Sequence, residues 1–155
     1  MTAVPPFFAG FYQMGFVTAD LEAAQTRLAE RFGVTRFRVK NDPDRLSAAH
    51  AYAGDVMLEI LQPGPLAPAL FQDLVPSQGA VRLHHHGFAV RSPADWDMIV
   101  TVVTAQGWAT PHKGEVMNGD LRFLYVDTRA DLGCYSEYVL RTGAALSLYD
   151  DVPRN

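Results

Sequence analysis

Glu59 and Glu137 each interrupt an apolar run, Val56-Met57-Leu58-Glu59-Ile60-Leu61 and Cys134-Tyr135-Ser136-Glu137-Tyr138-Val139-Leu140. A carboxylate in such a run is costly unless it is paired, hydrogen-bonded, bound to a metal or turned toward a wet cavity. Two further side chains able to ligate a metal precede them at matching places. Gln13-Met14-Gly15-Phe16-Val17 runs into Thr18-Ala19-Asp20-Leu21, and His85-His86-Gly87-Phe88-Ala89-Val90 runs into Arg91-Ser92-Pro93-Ala94-Asp95. The echo implies a duplicated module and puts Gln13 in register with His85 and Glu59 in register with Glu137. A neutral imidazole, an amide oxygen and two carboxylates make a hard, mixed N/O set suited to a divalent cation.

The elements that must carry these residues follow from local patterns. Residues 11 to 17 read as a strand, after which Asp20 caps a helix whose Leu21, Ala24, Leu28 and Phe32 recur at helical spacing and which Gly33 stops. Strands are expected at 35 to 40, 46 to 53 and 55 to 61, the last two turning at Gly54. Six Pro and Gly residues between 62 and 80 mark a connection, with one helical turn near Ala69 to Leu74. A strand at 83 to 91 leads to Ser92-Pro93-Ala94-Asp95, an N-cap with Pro at the first helical position and an acid three residues after the cap. Trp96, Ile99, Val100 and Val103 form that helix's stripe and Gly107 its stop. Strands are expected again near 107 to 110, 120 to 127 and 133 to 140, and the tail after Leu148 reads as loosely held.

The expected organisation is one domain over 1–155: a first βαβββ module at 9–62, a connection at 63–80, a second module at 81–141 and a C-terminal tail at 142–155. Because strand side chains alternate faces, His84 and His86 point away from His85. Register with Gln13 selects His85 as the ligand and leaves the other two as satisfied surface or interface histidines. Cys134 lies an odd number of residues from Glu137, on the other face, and reads as packing.

Among 155 residues, 48% hydrophobic and 19% charged describe a chain able to bury a core rather than a disordered one. A net charge of −4 without any basic run argues against nucleic acid and anionic membranes as partners and for a small-molecule substrate. No apolar stretch approaches the roughly 18 residues of a membrane span, and the single cysteine fits a reducing compartment, so a cytoplasmic protein is expected.

Taken in order, Gln13-Met14-Gly15-Phe16 with Asp20-Leu21-Glu22-Ala23-Ala24, Leu58-Glu59-Ile60, Leu83-His84-His85-His86-Gly87-Phe88 and Leu132-Gly133-Cys134-Tyr135-Ser136-Glu137-Tyr138 resemble the vicinal oxygen chelate superfamily over about residues 9 to 141. Glyoxalase I, methylmalonyl-CoA epimerase, extradiol dioxygenases and bleomycin-resistance proteins belong to it. The resemblance implies an α+β fold in which two tandem βαβββ modules form an eight-stranded, incompletely closed barrel with helices outside. It also implies one divalent metal per chain (Zn, Ni, Co, Mn or Fe) on Gln13, Glu59, His85 and Glu137, and a homodimer.

Within that superfamily, Gln/Glu/His/Glu is similar to the glyoxalase I set and differs from the two-histidine, one-carboxylate set of extradiol dioxygenases. The expectation is therefore a metal-dependent lyase or isomerase, with Glu137 as the catalytic base and Glu59 as acid or second base. The alternatives are a ring-cleaving dioxygenase, or a metal-free binding or resistance protein gripping an aromatic ligand with Phe11, Phe16, Tyr52, Phe88 and Phe123. A cupin, with His84 and His86 as paired ligands, lacks the glutamate expected soon after the pair. The segment Pro111 to Gly119 reads as a flap, with His112 or Lys113 placed to meet an anion, while the identity of the substrate is not legible.

Overall fold

The computed structural model describes residues 8–155. Its elements are β1 (Phe11–Val17), α1 (Leu21–Phe32), β2 (Arg38–Lys40), β3 (Leu46–Ala53), β4 (Val56–Pro63), α2 (Ala69–Gln72), β5 (Arg82–Val90), α3 (Pro93–Ala105), β6 (His112–Val116), β7 (Leu121–Val126), α4 (Arg129–Leu132) and β8 (Tyr135–Arg141). The fold is α+β, and its mixed sheet has eight strands in the order β2-β3-β4-β1-β5-β8-β7-β6. Residues 13–85 with 149–155 form one compact unit, and residues 8–12 with 86–148 form the other.

In the first unit the helix signals act as read. The Asp20 side chain accepts from the Ala23 amide, and Gly33, at φ 71°, ends α1 in the left-handed conformation a Cβ would disfavour. Leu21, Ala24 and Leu28 pack against Ala49, Ala51 and Ile60 of β3 and β4. The alanines of β3 leave room for the helix, and burying each leucine contributes roughly 1.5–3 kcal/mol. Phe32, expected in the stripe, is instead 74% exposed at the last residue of the helix. With Ala49, Ala51 and Ile60 committed to the helix side, alternation turns His50 and Glu59 to the opposite face.

The second unit repeats the device. Ser92 caps α3 through the Asp95 amide with Pro93 at the first turn, and Ile99 and Val103 pack with Phe88, Leu124, Val126 and Tyr138. Val100 is 38% exposed and sits at the margin of that stripe. Burial pushes the Tyr138 phenol up to about 12. Alternation again turns Phe123, Tyr125 and Glu137 away from the helix.

Three expectations are corrected. The strand expected near 107 to 110 does not form, and the segment read as a flap contains β6, paired with β7 from His112↔Tyr125 to Val116↔Leu121. Pro111 has no N–H, so pairing starts after it, and a sheet-end strand need not be apolar. The strand expected at 35 to 40 is only Arg38–Lys40, because its place beside Tyr52 is taken by the tail. The Tyr52 amide donates to the Pro153 carbonyl, the Asn155 amide donates to the Tyr52 carbonyl, and the Asn155 side chain accepts from the amides of Thr35 and Arg36. Val152 is buried and Arg154 stacks on Tyr52, so the tail is tied down rather than loose.

Candidate metal centre

Strand register brings the first cluster together. β1 runs parallel to β4 with Gln13↔Met57 and Gly15↔Glu59, and β3 runs antiparallel to β4 with His50↔Glu59. Gln13 and Gly15 share a face, as do His50 and Glu59. The His85 imidazole occupies the space over Gly15, where any Cβ would overlap its ring. Glycine is required at 15 by this close approach and not by its backbone angles.

Gln13 and His85 are fully buried and the Glu59 side chain is 14% exposed. His85 Nε2 lies 3.1 Å from Gln13 Oε1 and 3.3 Å from Glu59 Oε2, while Glu59 Oε1 lies 2.9 Å from His50 Nε2. A bare imidazole nitrogen, an amide oxygen and a carboxylate oxygen converging at these distances repel one another unless a cation lies among them, either a proton on Nε2 or a metal ion. The donor set therefore fits a divalent metal. Burial by itself would push the Glu59 carboxyl up, but hydrogen bonds from His50 and His85, together with their charge, outweigh it and hold the carboxyl well below the usual carboxylate range.

In the other unit, Glu137 is half-buried on β8 opposite Tyr125, and Tyr125 is opposite His112. The His112 ring packs on Phe123 and Tyr125. Burial pulls the His112 imidazole below its ordinary value, and the charge of Glu137 acts in the other direction. Lys113 is exposed on β6.

The neighbours of His85 differ from expectation. His84 is fully buried rather than a surface residue: it stacks on Phe71, and its Nε2 donates to the Leu70 carbonyl at 2.9 Å. His86 is half-buried, edge-on to Phe11 and 3.5 Å from Cys134 Sγ. Cys134 has no exposed surface, and burial pushes its thiol up, away from the reactive thiolate. Of the aromatic set, Phe88 belongs to the α3 core and Tyr52 lies under Arg154.

His50 was missed by the sequence reading although a signal existed. The two-residue turn at Gly54-Asp55 pairs Ala53 with Val56 and, counting outward, His50 with Glu59.

No family model matches this chain, and no curated protein matches it by sequence. Solved structures do. A Streptomyces coelicolor methylmalonyl-CoA epimerase variant in complex with 2-nitronate-propionyl-CoA is similar at a TM-score of 0.62 and 15% identity, over 87% of this chain and 99% of that one. The chain shares the fold of that epimerase. A methylmalonyl-CoA epimerase from Mycobacterium tuberculosis gives a TM-score of 0.62 at 15% identity over 95% of both chains. A hypothetical protein of Bacillus halodurans gives 0.64 at 14%, over 87% of this chain and 96% of that one. These likenesses show a shared fold, and identities this low say nothing of substrate.

Proposed function

We propose that the chain is a divalent-metal-dependent isomerase or lyase of the epimerase or glyoxalase type, with Gln13, Glu59 and His85 as ligands to one ion and Glu137, from its matching place in the sequence echo, as the fourth. The observation that carries this reading is the convergence of Gln13 Oε1 and Glu59 Oε2 on Nε2 of the fully buried His85. When bound, a divalent ion supplies Lewis-acid polarisation to a substrate carbonyl, which acidifies the adjacent carbon.

The chain's own residues do the rest. Glu137 takes the proton from that carbon as the base, and Glu59 serves as the second acid or base, its outer oxygen held by His50. Burial of Gln13 and His85 keeps water from their donor atoms. The substrate class is a small carbonyl compound or a thioester bearing an acidic α-carbon; the coenzyme A ligand in the epimerase complex supports a thioester. β2 and β6, at the ends of the strand order, leave edges that a homodimer would cover.

The test is exchange of the α-proton of a 2-acyl thioester with solvent deuterium in metal-saturated protein. Wild type should exchange, and Glu137→Gln, which keeps an oxygen ligand but not the basic carboxylate, should fall by roughly 100-fold or more. Equal rates would remove Glu137 as the base.

A further inference from the structure

We infer that His84 is a positioning residue that sets which nitrogen of His85 faces the metal, through a relay beginning at the Leu70 carbonyl. This inference rests on the reading of His85 as a ligand. The carbonyl oxygen of Leu70 can only accept, so His84 Nε2, at 2.9 Å, carries the proton. Neutral His84 then presents a bare Nδ1. That atom lies 2.9 Å from His85 Nδ1, which must therefore be the N–H of this pair. With Nδ1 protonated, the lone pair of neutral His85 resides on Nε2, the nitrogen aimed at Gln13 and Glu59. Two successive bonds thus fix the tautomer a ligand needs.

The packing makes the relay rigid. His84 and His85 are fully buried, the His84 ring is stacked on Phe71 at 4.8 Å, and the two imidazoles meet edge to face at 85°. Leu70 is the second residue of the four-residue α2; a helix this short must find most partners for its carbonyls outside itself, and His84 supplies one to Leu70. The connection between the repeats, which the sequence presented as a mere joint, thereby acts on the first ligand cluster. A hydrogen bond to the second nitrogen of a ligating histidine also raises its basicity, and losing such a partner costs roughly 10–100-fold in metal affinity.

Three variants separate the relay from simple packing. His84→Asn places an acceptor oxygen where Nδ1 stood, His84→Gln keeps a donor toward Leu70 but no acceptor for His85, and His84→Phe keeps only the stack. Nitrogen-15 NMR of metal-free wild type should show His85 protonated at Nδ1, and this readout stands whether or not metal binds. Zn2+ affinity, by chelator competition on variants whose melting shows a folded chain, should drop roughly 10–100-fold in His84→Gln and His84→Phe and recover largely in His84→Asn. A bare His85 Nδ1 in the metal-free wild type would overturn the relay. So would His84→Asn losing as much affinity as His84→Gln, or all three variants matching wild type. Failure of wild type to bind Zn2+ while His85 Nδ1 is protonated would instead sink the metal reading and leave the relay intact.

Discussion

The two units each place a glutamate on a strand, facing away from the helix, and surround it differently. In the first, Arg38, His50, Glu59 and Gly15 form one transverse row across β2, β3, β4 and β1. In the second, His112, Tyr125 and Glu137 form the corresponding row across β6, β7 and β8. Histidine beside Glu59 becomes tyrosine beside Glu137. Glu59 is gripped by two imidazoles and its carboxyl is held down, which suits a fixed anionic ligand, whereas Glu137 faces a phenol at the equivalent position.

The largest effect is expected at Gly15, the point where the first row leaves space for an imidazole. Gly15→Ala drives a methyl group into the His85 ring. Overpacking of this kind costs about 1–3 kcal/mol, and displacing the ligand should weaken metal as well. Chemical denaturation with a parallel metal titration checks both. Unchanged affinity would show that His85 does not need its observed position.

A smaller effect is expected where the modules differ most in outline. The first has a three-residue β2 and uses the tail in its stead, whereas the second has a five-residue β6. Asn155→Ala removes the side-chain bonds to Thr35, Arg36 and Tyr52. At net values of about 0.5–1.5 kcal/mol per bond, discounted for exposure, the loss should be about 1 kcal/mol. Amide exchange should quicken at Thr35 and Arg36 but not along β6.

The subtlest effect is in acid. Glu59, with its carboxyl depressed in the folded state, contributes stability that is present above the ordinary carboxylate value of about 4.3 and is lost as pH falls below it toward the folded value. His50→Phe removes one of the lowering contacts, so the folded value should rise and the acid limb of the metal-free protein should flatten. Urea unfolding between about pH 3 and 6 measures this. An unaltered slope would mean that His50 does not hold Glu59 down.

What was legible in the sequence was local or periodic. Asp20, Gly33 and Ser92-Pro93 mark helix ends by chemistry confined to a few residues, and alternation places Glu59 and Glu137 away from the helices. β6 escaped notice because His-Lys-Gly-Glu-Val has no apolar face, and its strand character comes from pairing with β7 alone. The tail escaped for a similar reason: Asn155 acts on Thr35 and Tyr52, which lie more than a hundred residues away in sequence. His84 looked dispensable because alternation describes where a Cβ points, while an imidazole is long enough to reach around to its neighbour.

The central claim, that Gln13, Glu59, His85 and Glu137 hold a divalent cation, is tested most directly by elemental analysis of gently purified protein and of His85→Ala and His84→Ala. The account predicts about one divalent ion per wild-type chain, none in His85→Ala, and weakened but detectable binding in His84→Ala. A wild-type chain that takes up no divalent metal, or equal loss from the two histidine variants, would contradict it.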